Sequence, residues 1–486
     1  MLPDSGIFAK KIRLIECTQN HTHIKFLENL PCVFKPGIMR VVLYSFGTII
    51  LHQPNVRTMA RKETRRTFLK QTGALTAAGI ASPLVIPRSV FAQDGKVGAN
   101  DRIIVGFTGT GGRARQLMSH IPQERAKIVA VSDLWRSKME GAVNEKKQQG
   151  DIPNVDQWKL YDSDAEMYDK EKLDCAFVIT QDFCRTLCSV RAILAGLDVY
   201  AEKALTTYIS EGRTLVKFAR KHNKVFQVGS QQRSMRLNDY GCALVRDGKL
   251  GAIKVVQAFN YPSGRHIPSD IGEQPCPPDL QWDAWQGPTE YRKFHGGLLG
   301  WMQWKEYANG EMTNWGAHGI DQVQWALGAS ESGPTELWPL EEGNGKIGMK
   351  YANGTEVRIE LDQGPMGGAI FRCEKGNLEI NRNNLKANPQ NLIADAPEAD
   401  PPEGPTWIAR PHIENFFDCM VSRKKPNADV EIGHRSVTVC HLIGIARDLN
   451  RRLKWDPEKE QFIDDDEANK MVDRPRRDGY EFPPLG

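Results

Sequence analysis

None of the chain's 10 cysteines forms a Cys-x-x-Cys pair, which excludes zinc ribbons and thioredoxin-type redox motifs and leaves scattered buried thiols as the expectation. His266, His295, His318, His412 and His434 are dispersed, with no His-x-x-x-His or Asp-x-His spacing, so no metal site is expected. A Walker loop and a Gly-x-Ser-x-Gly elbow are both missing, which removes ATPase and serine-hydrolase chemistry. There is no internal repeat and no low-complexity tract. A basic face is missing too. Residues 1–92 hold 13 Lys and Arg against 4 Asp and Glu, out of totals of 64 and 60, leaving 51 against 56 in the other 394 residues. A body of net −5 argues against a nucleic-acid partner.

What remains is an ordinary globular composition, 40% hydrophobic and 26% charged over 486 residues, enough for two domains or a little more. The basic excess belongs to a leader. Thr64-Arg-Arg-Thr-Phe-Leu-Lys70 matches a twin-arginine export signal, an uncharged stretch Gln71–Ile86 follows, and Val90-Phe91-Ala92 offers small residues for cleavage. The uncharged stretch is too short and too rich in Gly, Ala and Thr for a membrane span, so no anchor is expected after processing. Residues 59–92 are read as the signal peptide, starting naturally at Met59, and 1–58 as upstream sequence or a disordered extension. Export to the periplasm or beyond is the expectation.

Arg102–Thr108 forms a β-branched run suited to a buried parallel strand. Gly109-Thr110-Gly111-Gly112-Arg113-Ala114 follows, with a helical segment through His120. In Gly-x-Gly-x-x-Ala between strand and helix, the first glycine permits the turn. The second lets backbone approach a pyrophosphate, and the small Ala114 lets helix and strand pack closely. Lys127–Asp133 reads as a second strand ending in an acid 24 residues after Gly109, placed to bond adenosine ribose hydroxyls and favour NAD. Arg136 and Lys138 leave NADP open, and an N-cap for a helix over 134–147 is the structural alternative for Asp133. Strands at Cys175–Thr180 and Asp198–Tyr200 continue the alternation, giving a doubly wound dinucleotide domain over 100–230.

Ala195-Gly-Leu-Asp-Val-Tyr-Ala-Glu202-Lys203-Ala204 resembles the glucose–fructose oxidoreductase/inositol dehydrogenase (Gfo/Idh/MocA) family, which carries Glu-Lys-Pro here. Asn223–Arg233, Trp282–Gly287, Glu311–Gly328 and Lys425–His434 extend the resemblance over roughly 100–480, the second and fourth as in exported members. It implies a Rossmann domain followed, over 231–486, by an α/β domain with a mainly antiparallel sheet that mediates dimers or tetramers. The alternating stretches Ile253–Phe259, Ile347–Tyr351, Glu356–Leu361 and Ala369–Cys373 agree, and helices at 413–422 and 433–450 are expected to close the chain. The resemblance further implies hydride transfer between NAD(P) and a sugar, polyol or derivative, with Lys203 beside the nicotinamide. The family's Asp-x-x-x-His motif falls on Asn314 and His318, the histidine serving as acid/base and the carboxylate replaced by an amide. Four-residue spacing sets both on one helix face. The candidate cofactor contacts are Gly109, Thr110, Gly111, Gly112, Arg113, Asp133, Thr180, Glu202 and Lys203; the candidate catalytic residues are Lys203, His318 and Asn314.

Three features depart from simple expectation. Thr180-Gln-Asp-Phe-Cys-Arg185 stands where relatives have Thr-Pro-Asp-x-x-His, with Arg185 read as a helix-surface residue or a contact for an acidic ligand. Asp321 is read as a helper in catalysis or a helix-surface carboxylate. Trp282, Trp285, Trp301, Trp304 and Trp315 supply faces for sugar rings but are first of all core material. Two other functions stay open: redox-neutral glycoside cleavage with a retained NAD, and a dinucleotide- or sugar-binding protein with weakened turnover.

Overall fold

The computed structural model describes residues 102–341, 344–402 and 409–485, together with the backbone of two short strands near the N-terminus. The chain divides into two compact units, Met1–Leu84 and Val85–Gly486. The described part of the first is an antiparallel pair, β1 (Glu16–Thr18) and β2 (His21–His23). The expected signal peptide at 59–92 and the rest of 1–58 lie outside the described residues.

In the second unit strands and helices first alternate: β3 (Ile103–Thr108), α1 (Gly112–His120), β4 (Ala126–Ser132), α2 (Arg136–Gln149), β5 (Lys159–Tyr161), α3 (Asp164–Lys170), β6 (Cys175–Val178), α4 (Asp182–Leu194), β7 (Asp198–Ala201), α5 (Ile209–Lys221) and β8 (Phe226–Val228). The six strands are parallel, in the order β5-β4-β3-β6-β7-β8. Every residue of β6 and β7 is buried, as a sheet covered on both faces requires. Phe107, Phe177 and Tyr200 stack across three neighbouring strands at 4.8 and 4.7 Å between ring centres. Winding reverses between β3 and β6, so a crevice opens at their carboxyl ends. β5 and β8, three residues each, are too short to show a periodic signal.

Beyond α6 (Arg236–Arg246) the pattern changes. β9 (Ile253–Phe259) is followed by three helices, α7 (Trp282–Gln286), α8 (Glu311–Asn314) and α9 (Gly316–Ala326). Next come β10 (Pro334–Pro339), β11 (Ile347–Tyr351), β12 (Glu356–Leu361), β13 (Ala369–Cys373), β14 (Asn377–Asn381) and β15 (Asn384–Asn388). They form a nine-stranded sheet with β16 (Leu453–Asp456) and β17 (Gln461–Phe462), antiparallel except where β12 meets β9. Residues alternate in and out along β13 and β14, as one packed face demands. That face carries Val256, Ile359, Phe371 and Ile380 into one cluster with Ile320 and Val323 of α9 and with Leu442 and Ile443 of α11 (Val430–Leu449).

Two details differ from the expectation. Helix α10 (Arg410–Ser422) packs Ile413, Phe416 and Phe417 into the core of the parallel sheet, so sequence far beyond residue 230 completes the first domain. Nor do the two expected helices close the chain, since β16, β17 and a four-residue helix, Asp466–Asn469, follow them. β16 joins the sheet edge beside β10, and the tail returns toward α4, where Arg474 donates to the Phe183 carbonyl at 2.9 Å. All eight cysteines of the described residues are free thiols, six of them buried. No described helix is long and apolar enough to cross a membrane.

Candidate functional site

The crevice begins at the turn after β3. Gly109 has φ +91, and a Cβ there would lie 2.4 Å from the Ile179 carbonyl oxygen, so only glycine fits between the two strand ends. At Gly111 and Gly112 a Cβ would meet nothing within 4 Å, which leaves their backbone open to the cavity. α1 starts at Gly112 with no side-chain cap, so its first amides and the positive end of its dipole are available to an anion. Ala114 is fully buried under this helix, where a small residue is needed.

Asp133 follows β4 and reaches back to the turn. One carboxylate oxygen accepts from Thr110 N at 2.8 Å and Thr110 Oγ1 at 2.7 Å; the other accepts from Trp135 N at 3.1 Å. The cap position of α2 is Trp135, so Asp133 is not the N-cap: it braces the glycine turn at the cavity edge. Arg136 is engaged with Glu140 and Asp162, at 2.7 and 3.3 Å, and the Lys138 ammonium lies 5.0 Å over the Trp135 ring. From here a cavity of about 750 Å³ runs past Thr180 to Glu202, Lys203 and Asn314, bordered also by Trp285, Trp301 and Tyr480. Its size, open glycine backbone and uncapped helix start fit a dinucleotide.

Glu202 and Lys203 leave the end of β7. Glu202 is buried and accepts from Arg113 Nε at 2.8 Å, Gln231 Nε2 at 2.8 Å and Lys203 N at 3.0 Å. Burial opposes its ionisation, but Arg113 and Lys203 outweigh burial and hold the carboxyl below the usual carboxylate range. A Cβ on Gly229 would fall 2.7 Å from this carboxylate, a second place where glycine is required. The Lys203–Ala204 peptide is cis. Lys203 Nζ donates to Asn314 Oδ1 at 2.6 Å, and burial lowers its pKa against the opposing pull of Glu202 and Asp182.

Asn314 ends α8, and α9 starts two residues later after a break at Trp315. Asn314 and His318 therefore sit on two short helices rather than one, and they still meet at a second chamber of about 190 Å³. Arg113, Glu202, Lys203 and Asn314 line both chambers and form the wall between them. His318 is 6% exposed; burial, with the Arg382, Lys203 and Arg113 charges, drives its pKa well below the ordinary value, so its imidazole is neutral.

Other readings are corrected. Arg185 is 2% exposed, so it is not a helix-surface residue, and it borders the larger cavity. It pairs with Asp182 at 2.8 Å and donates to the Ala204 and Thr180 carbonyls, tying the loop after β6 to the segment after Lys203. Asp321 lies in a buried ion pair with Arg233 at 2.8 Å and accepts from Ser436 at 2.7 Å. Trp282, Trp285 and Trp304 form a core cluster, while Trp285 and Trp301 face the larger cavity and Trp315 the smaller. Sequence reasoning missed three participants. Gln231 holds Glu202, Arg382 enters the small chamber from the β14–β15 turn, and Glu311 accepts from the Asn314 amide at 3.1 and 3.2 Å. Glu311 alone had a local signal, three residues before Asn314 on one helix.

Residues 103–230 match the model of the oxidoreductase family's NAD-binding Rossmann fold, and residues 251–482 that of its C-terminal alpha/beta domain. The chain belongs to this family, Gfo/Idh/MocA, and its Rossmann domain is an NAD-binding one. Among solved structures, the WlbA dehydrogenase of Bordetella pertussis, crystallised with NADH and UDP-GlcNAcA, shares the fold at 17% identity and TM-score 0.51 over 73% of this chain and 99% of that one. The aldose-aldose oxidoreductase of Caulobacter crescentus, complexed with glycerol, does so at 16% identity and TM-score 0.50 over 73% and 99%. No curated protein matches the chain.

Proposed function

We propose that the protein is an exported NAD-dependent oxidoreductase acting on a hydroxyl of a sugar, polyol or derivative, with Lys203 and His318 handling the proton. The observation that carries this reading is the shared wall. Lys203, hydrogen-bonded to Asn314 at 2.6 Å, faces both the dinucleotide-sized cavity and the small chamber that His318 lines. Gly109–Arg113, Asp133, Thr180 and Glu202 would hold the cofactor, which supplies the hydride acceptor when bound. The Lys203 ammonium, held by the Asn314 amide oxygen, polarises the substrate hydroxyl. The neutral imidazole of His318 accepts its proton. The second domain's sheet would pair subunits into dimers or tetramers, as the family resemblance implies. Export rests on Thr64–Lys70, and because the twin-arginine route carries folded proteins, a cofactor loaded before export fits it.

A redox-neutral glycosidase would use the same wall. The tail serves cofactor retention under either reading: Tyr480 lines the cofactor cavity while Arg477 binds Asp283 at 2.7 Å and the Gly287 carbonyl at 2.9 Å. The test begins with the exported form, denatured so that bound nucleotide is released and weighed by mass spectrometry. Release of NAD, followed by a change in nicotinamide absorbance on adding one of a panel of sugars and polyols, is the expected result. Cleavage of a glycoside without net absorbance change favours the second reading. A chain that neither carries nor takes up NAD overturns both.

A further inference from the structure

Two departures from the family pattern touch each other in the fold. Relatives follow the lysine with proline, whose ring fixes the backbone φ at that position, whereas Ala204 carries no such ring. Relatives also place histidine where this chain has Arg185. The Arg185 guanidinium donates from Nη1 to the Ala204 carbonyl, from Nη2 to the Thr180 carbonyl, and pairs with Asp182 at 2.8 Å. All four residues border the cofactor cavity. The grip falls where the backbone needs it. Before Lys203 the chain is held by the sheet, Glu202 N donating to the Val178 carbonyl at 3.2 Å. After it, the Thr206 carbonyl accepts from His441 at 3.0 Å, and Arg185 holds the chain between these anchors. The arrangement has a cost, because Arg185 Nε is buried with no partner among the described residues.

Resting on the oxidoreductase reading, we infer that Arg185 is a positioning residue for Lys203, supplying at Ala204 the constraint that proline supplies in relatives. By holding the peptide that follows Lys203, it keeps Nζ at Asn314, 2.6 Å away, on the wall between the two chambers. Asp182 orients the guanidinium and balances its buried charge. A neutral histidine has a single N–H donor, so it cannot serve the Thr180 and Ala204 carbonyls together. A chain of this kind therefore needs arginine at 185 or proline at 204, and the two positions are energetically coupled.

Four NAD-loaded, full-length proteins test this: the unchanged chain, Arg185→His, Ala204→Pro and the double variant. One readout is amide hydrogen exchange in peptides spanning residues 203–208; the other is kcat and KM on whichever sugar or polyol is turned over. Arg185→His should speed exchange about tenfold and lower kcat about tenfold, while KM moves less than about threefold. Adding Ala204→Pro should return exchange and kcat to within about threefold of the unchanged chain, and Ala204→Pro alone should alter little. An Arg185→His variant that exchanges and turns over unchanged overturns the inference, as does an equal loss with alanine or proline at 204. Exchange that responds while kcat does not, or a loss that lies in KM, overturns the positioning role. An insoluble Arg185→His that Ala204→Pro returns to solution supports the coupling; a double variant no more soluble counts against it. Coupled exchange with no turnover by any of the four would instead overturn the oxidoreductase reading and spare the clamp.

Discussion

The two chambers on either side of Lys203 are built by different means. The larger is made by backbone: a glycine turn, an uncapped helix start and strand ends. The smaller is made by side chains, Arg113, Glu202, Lys203, Asn314, His318 and Arg382, of which all but His318 are held by a partner distant in sequence. A backbone site tolerates almost any side chain that faces away from it, but it fails outright if a Cβ enters. A side-chain site is graded, and each substitution removes one contact. The comparison teaches where each kind of change should be felt, and it can be broken.

The largest effect should follow Lys203→Met. Turnover of the oxidisable substrate is expected to fall on the order of 10²–10⁴-fold, the usual worth of a positioned proton-handling group. A variant with undiminished turnover would remove Lys203 from the chemistry. Gly109→Ala should act on the cofactor instead. Its Cβ would sit 2.4 Å from a carbonyl oxygen that cannot yield, in a backbone with φ +91, so NAD content should drop more than tenfold and the melting temperature with it. The control is Gly112→Ala, where nothing lies within 4 Å. There the fold is expected to hold or gain up to about 1 kcal/mol, while NAD binds less tightly because the methyl enters the cavity. Equal melting temperatures for the two variants would refute the description of the turn.

This contrast also decides what was legible in the sequence. The constraint on Gly109 acts between consecutive residues, so strand, turn and helix could be read in order, and the acid 24 residues on could be read as Asp133. The first domain's sheet followed from strand–helix alternation, and the second came from the family resemblance, with which the period-two runs agree. Lys203 and His318 came from resemblance, since a lysine at a strand end and a lone histidine have no local signature. What stayed hidden depends on contacts across the chain. Asp133 holds Thr110 rather than capping α2; Arg185 turns inward onto the Thr180 and Ala204 carbonyls; Asp321 finds Arg233; and Arg382 arrives from a strand turn 179 residues after Lys203. Tertiary burial chose those partners, and no period in the sequence encodes it.

Acid should separate the framework behind the chambers from the salt bridges around it. His412 donates from Nε2 to the Val228 carbonyl (2.9 Å) and accepts at Nδ1 from the Ser234 hydroxyl (2.7 Å), and His441 donates from Nε2 to the Thr206 carbonyl at 3.0 Å, fastening the ends of β8 and the segment after Lys203. Burial, as the main cause, lowers both from 6.5 to about 4. The unfolded chain takes up these protons at about 6.5 and the native state does not, so stability is full above that pH and is lost as pH falls toward 4. Each histidine should remove about 1.4 kcal/mol per pH unit across this window. Glu431, held at about 2 by Arg213 and Arg435 against burial, loses its contribution only below about 4.5. Denaturant melts between pH 7 and 4.5 should thus show a slope that the pair His412→Asn and His441→Asn flattens. An unchanged slope would mean that neither is neutral in the folded protein.

The smallest expected effect bears on the finest detail of the inner chamber. The Asn314 side chain can present either its oxygen or its nitrogen to Lys203, and only the oxygen is compatible with an ammonium 2.6 Å away. Glu311 makes that choice: its carboxylate takes both amide contacts, at 3.1 and 3.2 Å, and so points the oxygen at the lysine. Glu311→Gln keeps one acceptor but loses the charge-assisted part of the bond, which is worth about 1 kcal/mol, or roughly fivefold in kcat/KM. Glu311→Ala leaves the amide free to rotate and should cost more. Neither variant should change NAD content, because the larger chamber draws nothing from this side chain. If Glu311→Ala released NAD as readily as Gly109→Ala, the two chambers would not be independent, and the division between a backbone-built and a side-chain-built half of the site would fall.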